Sequence, residues 1–297
     1  MHAATLLGSL SDAGTSLANS APISYQGLWR RRLLEQNGQI DRDTTVYWLQ
    51  IGCLYADIRI PANRPDCESL SGASAKTLQA LAHQQGFAGH LDVDGNVLTW
   101  HRWLDYQPPA PVADVGRVHF ERDVLIEHGM LANYREEWVR TAIPGSDRIG
   151  LVLEAELRAD GRERSRRGVF IAMGSAFMIA IAREQDLSVF ETNDQSVLTT
   201  LEQLVADSNR PETERRALLD CGIDFGRRHG RDWQICLSTL PAREGESLQS
   251  VHGSWTDIGG DRYLQHVDTD VRGRIVRRWR VVELGKNFIQ LDSATRA

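Results

Sequence analysis

The sequence of 297 residues has no uninterrupted apolar run of the roughly 18 residues that a membrane-crossing helix needs. Its longest apolar segment, residues 169–182, is interrupted by Gly174 and Ser175 and is too short. The opening MHAATLLGSLSDAGTSLANSAP lacks the basic start and sustained apolar centre of a secretory signal. Residues 1–21 therefore read as a disordered tail, no membrane partner is expected, and the expected location is the cytoplasm. Cysteine is also scarce. The four, at 53, 67, 221 and 236, form no CxxC pair, and no histidine stands at zinc-finger spacing from them. That pattern predicts reduced thiols, no disulfide and no structural metal. Basic charge is not in excess either. A net charge of −6 argues against a nucleic-acid partner, which would require a concentrated basic footprint. Arginine does cluster at 30–32, 162–167 and 277–280, but interspersed acids make these solvated strand faces and turns.

Familiar catalytic motifs are missing as well. Ser175, in Met173-Gly174-Ser175-Ala176-Phe177, is no G-x-S-x-G elbow. Gly222, Gly226 and Gly230 have the wrong spacing for a dinucleotide loop and are expected at a strand bend. No cofactor is expected.

What the chain does contain is strand signal punctuated by turns. In the first half the strands read as Gly27–Glu35, Thr44–Ile51, Leu54–Ile60, Asn96–Tyr106, Val115–Glu127 and Met130–Arg140. Turns are expected at Gln36-Asn37-Gly38, Asp94-Gly95 and His128-Gly129, and one short helix at 74–85. Pro144-Gly145-Ser146-Asp147 reads as a linker. The second half repeats the plan, with strands at 148–158, 166–182, 219–227, 232–239, 253–258, 263–268 and 273–284 and a helix at 195–207. The predicted fold is all-β, two consecutive antiparallel lipocalin-like β-barrels over 22–143 and 148–292, since closure removes open sheet edges. Gly27-Leu28-Trp29 and Gly253-Ser254-Trp255 both match the G-x-W that opens lipocalin-like barrels.

A more specific pattern runs through Phe87-Ala88-Gly89, Trp103-Leu104-Asp105, Asp114-Val115-Gly116, Ile126-Glu127-His128-Gly129 and Tyr134-Arg135-Glu136-Glu137-Trp138. In this order residues 44–185 resemble a lipocalin-like (calycin-type) double-barrel family. It includes a fungal casein-kinase-interacting protein and bacterial members of unassigned activity. The resemblance implies the fold and allows an interaction or scaffold role; it carries no catalytic residue to any position. The Arg-rich hairpin Gly161–Gly168 and the longer C-terminal half depart from it.

Side chains alternate along a strand, so Tyr55, Asp57 and Arg59 share one face and Ile58 and Ile60 the other. Taken the same way, Thr99, His101, Trp103 and Asp105 oppose Leu98, Trp100, Arg102, Leu104 and Tyr106, while Tyr134, Glu136 and Trp138 oppose Arg135, Glu137 and Val139. If the mixed faces line a barrel, Tyr55, Arg59, Trp103, Tyr134 and Trp138 would hold a small, partly apolar, aromatic or carboxylated ligand. His101, with Asp57 or Glu136, would supply an acid and a base for a cofactor-independent lyase, isomerase or hydratase reaction. Arg59 facing inward would need a carboxylate partner or a bound anion. The other reading turns these faces outward as cross-strand pairs, with Ile58, Ile60, Leu98 and Leu104 filling the core of a non-enzymatic interaction module. His119-Phe120-Glu121 and Glu127-His128 have no third ligand at a recognised spacing, so no metal site is expected there. The residues leave open whether the protein is an enzyme and whether it forms a homo-oligomer.

Overall fold

The computed structural model describes residues 20–185, 187, 200–267, 273–285 and 291. Most of the expected tail, residues 195–199 of the expected second helix, and residues 268 and 292 lie outside the described residues. Nine strands make the first sheet: β1 (Gly27–Gln36), β2 (Gln39–Asp41), β3 (Thr45–Ile51), β4 (Leu54–Ile60), β5 (Gln85–Asp94), β6 (Val97–Asp105), β7 (Asp114–Glu121), β8 (Val124–Gly129) and β9 (Tyr134–Thr141). Each long strand pairs antiparallel with its neighbour, and β1 pairs with β9, so eight strands close a barrel while β2 extends β1 as a hairpin.

A second antiparallel sheet contains β10 (Arg148–Leu157), β11 (Glu163–Arg164), β12 (Gly168–Met173), β13 (Ala176–Ile181), β14 (Gly222–His229), β15 (Asp232–Ser238), β16 (Ser254–Gly259), β17 (Arg262–Val267) and β18 (Ile275–Leu284). Its main order is β15-β14-β13-β12-β10-β18-β17-β16, with β11 beside β10. Among the described residues β15 and β16 do not pair, so this sheet is a curled half-barrel. The fold is therefore all-β, one closed barrel followed by one open one, in the calycin manner. Thr141 ends the first sheet and Arg148 begins the second.

Several expected elements differ. Gln85 begins β5, not the end of a helix: α1 (Ala75–Leu81), capped by the Ser74 hydroxyl on the Thr77 N–H, is shorter than its apolar spacing suggested. The expected single strand Val115–Glu127 is two, reversed at Arg122, which adopts φ 58°. The expected strand 166–182 is likewise the hairpin β12–β13, turned at Gly174. In the second case continuous apolar composition hid the turn; in the first, the turn lies in the charged run Glu121-Arg122-Asp123, which carries no glycine, proline or asparagine. The short helices α2 (Leu201–Ala206), α3 (Glu212–Ala217) and α4 (Leu248–His252) complete the chain; α3 and α4 were not foreseen.

Gly27 opens β1, the first strand of the barrel, but Gly253 precedes β16, at the far edge of the half-barrel. The two G-x-W segments are therefore not equivalent, although Trp29 and Trp255 are both buried.

Both faces of the first barrel's β3–β4–β5 region are buried, for different reasons. Leu49, Ile51, Leu54, Ala56 and Ile58 point outward and share a core with Val169, Ile171, Met178, Ala180, Ile223 and Phe225 of the half-barrel. Tyr47 stacks on Phe225 across this seam at 4.3 Å. Inside the barrel, Trp29, Val46, Trp48, Tyr55, Phe87, Leu91, Leu98, Trp100, Val118, Leu125 and Trp138 form a second core. One end of that core is sealed by the segment before β1: Tyr25 stacks on Phe120, and Ala21 donates its N–H to the Gly52 carbonyl. The opposite end is where the polar residues gather. The concave face of the half-barrel is filled separately, by Phe170, Phe177, Trp255, Tyr263 and Trp279 among others. No helix among the described residues is long and apolar enough to cross a membrane.

Candidate functional site

The unsealed end of the barrel is formed where β1, β4, β6 and β8 finish and β5, β7 and β9 begin. Strand register decides which side chains enter it. Asp57 lies opposite Phe87, and Phe87 opposite Asp105; Tyr55 lies opposite Gly89, and Gly89 opposite Arg102. Partners across a ladder share a face, so all of these point inward. A bulge between Ala88 and Gly89 makes this possible, because it leaves Trp103 without a partner and shifts the parity of β6. Gly89 has to be glycine: a Cβ there would lie 1.9 Å from the His101 carbonyl oxygen.

The result corrects the expected faces. Asp57, Arg59, Tyr134, Glu136, Trp138 and Tyr55 come together inside the barrel. His101 and Trp103 do not join them. His101 lies opposite His90 on the outer surface and its Nε2 is 2.9 Å from Asp92, while Trp103 packs beside His90. The inner residues of β6 are Trp100 and Arg102, which had been assigned to the other face. His101 is thus not the partner of Asp57 or Glu136. In β7–β8, Glu127 points inward and its neighbour His128 outward, so that adjacent pair cannot share an ion either.

The inward groups form a connected network. Arg59 donates to Asp57 through Nε at 2.8 Å and to Glu136 through Nη1 at 3.2 Å. Arg31 donates to the same Glu136 oxygen at 2.8 Å and to Asp41 at 2.6 Å. The Arg59 guanidinium also lies over Phe87, 5.1 Å from its centroid. Nearer the mouth, Arg102 joins Asp105 at 2.7 Å to Asp114 at 2.6 Å and covers the other part of Phe87 at 3.6 Å. Glu127 accepts from the Tyr134 hydroxyl at 2.7 Å and from the Trp138 indole N–H at 3.1 Å. Tyr55, fully buried, has a hydroxyl with no hydrogen-bond partner.

Within this network six carboxyl groups (Asp41, Asp57, Asp105, Asp114, Glu127 and Glu136) face three guanidiniums (Arg31, Arg59 and Arg102), while Arg166, Arg167 and Arg183 stand at the cavity's edge. The surplus is relieved by protons. Burial, and then the Glu136 carboxylate directly opposite it across β8–β9, push the Glu127 carboxyl up to about 8, so it holds a proton at neutral pH. Burial also raises Asp57 and Asp105, against the pull of Arg59 and Arg102 respectively.

Of these groups Asp57, Arg59, Arg102, Asp105, Asp114, Glu127 and Glu136 line a cavity of about 1180 Å³, walled by Trp48, Phe87, Trp100 and Trp138 and open at the mouth. The loop of Pro109 to Ala113 edges it, and Ser165, Arg166, Arg167 and Arg183 of the second half overhang it. Arg183 ties that overhang down by donating to the backbone carbonyls of Asp105 at 3.0 Å and Tyr106 at 2.6 Å. The cavity therefore combines aromatic walls, a carboxyl-rich floor and one carboxylic acid that can give up a proton.

The half-barrel contains a second buried polar group, but its members are satisfied. Despite burial, Arg243, His252 and Ser238 hold the Asp224 carboxyl down to about 2. This cluster braces α4 against β14 and leads to no cavity among those described. Comparison with protein-family models gives no match, and comparison with curated proteins gives none.

Proposed function

We propose that the first barrel binds a small organic cation with a flat apolar or aromatic body. The observation that carries this reading is the pairing of indole walls with a carboxyl-rich floor, one of whose acids keeps a proton at neutral pH. An apolar body between Trp48, Trp100 and Trp138 buries well, and a basic group beside Glu127 and Glu136 supplies the charge that the floor lacks. The same two carboxyls set a proton donor next to a carboxylate. That is what cofactor-independent isomerases, lyases and hydratases use to move a proton between neighbouring atoms. Glu127 would act as the acid and Glu136 as the base, with Arg59 fixing Glu136. The interaction-module reading allowed by the resemblance to the two-barrel family calls for filled barrels, which a cavity of this size disfavours.

A matched pair of probes tests the charge preference. Calorimetric titration with phenethylamine and with phenylacetate should give binding at least tenfold tighter for the amine. Trp100→Ala should weaken amine binding by about tenfold, as loss of one aromatic wall does. Equal binding of the two probes, or tighter binding of the carboxylate, would overturn the proposal. Native mass spectrometry of freshly purified protein, looking for a retained basic molecule, gives an independent reading.

A further inference from the structure

On the outer surface of β5 and β6, His90, Asp92 and His101 converge, and His101 also borders the cavity. Among the described residues this is the one set of three His, Cys or carboxylate side chains whose ligand atoms all lie within 4.8 Å of one another. We infer that these three residues bind a divalent transition-metal ion of the zinc type, at a site outside the inward network of carboxyl groups and arginines.

The backbone brings the ligands together without strain. His90 and His101 are direct partners across the β5–β6 ladder, and Asp92 follows His90 by two residues, so it shares the same face. The hairpin turn at Asp94-Gly95 fixes this register, with Gly95 at φ 59°. The two imidazole rings lie parallel, 4.3 Å apart and 4° from coplanar orientation. The Asp92 carboxylate meets both, at 2.9 Å from His101 Nε2 and 4.0 Å from His90 Nε2.

Two imidazole nitrogens and a carboxylate oxygen are a donor set that suits zinc, nickel or copper rather than calcium or magnesium. Ligands around a tetrahedral zinc stand about 3.3 Å apart, given bonds of about 2.0 Å. The present spread therefore needs a contraction of about an ångström. Asp92 and His101 can supply it, since both are about half exposed and free to change rotamer.

Of the three ligands His90 is the least exposed. His90 is partly buried between His101 and Trp103, and its Nδ1 is buried without a hydrogen-bond partner. By contrast, the other stacked pair, His119 and His128, has rings 5.9 Å apart and only Glu121 at hand, 3.2 Å from His119. It is the natural control.

The test is titration of the full-length protein with zinc chloride by calorimetry at pH 7.5, after chelator treatment and dialysis. One ion per chain should bind in roughly the micromolar range, about −8 kcal/mol on the affinity scale. His90→Ala and His101→Ala should each weaken binding at least tenfold, and His119→Ala should not change it. In parallel, zinc should shift the imidazole resonances of His90 and His101 in the unsubstituted protein and leave those of His119 and His128 in place. That measurement decides the matter even if a variant folds poorly. No saturable binding at 100 μM zinc, or unaltered binding in the His90→Ala, His101→Ala double variant, would overturn the inference. So would shifts confined to other histidines.

Discussion

Arg59→Met is expected to destabilise the protein by about 3–5 kcal/mol near pH 8, the usual cost of removing one partner from a buried ion pair. Methionine keeps most of the stem volume against Phe87 and Trp138, so the loss reports charge rather than a cavity. Glu136 survives the change, because Arg31 still donates to it at 2.8 Å. Asp57 does not: it is 2% exposed, and among the described residues its side-chain hydrogen bonds come from Arg59 alone. Burial already raises the Asp57 pKa while Arg59 lowers it, so removing the guanidinium raises it further. A carboxyl with a raised folded pKa favours the folded state at low pH, and that advantage is lost as pH rises. The deficit of the variant should therefore shrink as pH falls towards 5 and be largest at neutral pH and above. Adding Asp57→Asn should recover most of the loss. Urea unfolding followed by tryptophan fluorescence at pH 5 and pH 8 measures both effects. Equal destabilisation in the single and double variants would trace the effect to packing of the stem instead.

The same strand shows how far the sequence could be followed. Alternation put Asp57 and Arg59 on one face of β4 and Ile58 and Ile60 on the other, and the two readings of that pattern looked exclusive. They are not, because the outer face is also buried, against the half-barrel. Ile58 fills the core between the sheets while Asp57 and Arg59 face the cavity. What alternation could not supply is parity between strands. In β6 the bulge at Trp103 reverses the inward face partway along, so Asp105 and Arg102 both point in despite their odd spacing. Bulges have no fixed composition, and here the sole trace is a glycine on the neighbouring strand. Glu127 escaped for a related reason. A strand drawn unbroken from Val115 to Glu127 hides the reversal at Arg122, and with it the residue whose proton gives the cavity its acid.

That proton leads to the second large effect. Glu127→Gln should make the protein about 2–4 kcal/mol more stable than the unsubstituted chain at pH 9, with little difference at pH 5. In the unfolded chain Glu127 titrates near its ordinary 4.5, and in the folded barrel near 8. Between these values the folded state holds a proton that the unfolded state has released, so stability falls as pH rises through this window and levels off above it. Some of the cost is shared with Glu136, whose carboxylate lies opposite, which keeps the expected figure below the full shift. Glutamine matches the neutral acid in shape. Its oxygen still accepts the Trp138 indole N–H, and its amide can donate to the Tyr134 hydroxyl. That hydroxyl can then turn to Asp114, 3.4 Å away. Asp57 and Asp105 also have raised values, but they titrate in both proteins and cancel in the difference. Urea unfolding at pH 5, 7 and 9 gives the two curves. Parallel curves would mean that Glu127 is ionised in the folded protein at neutral pH, and the barrel would then contain no acid to donate.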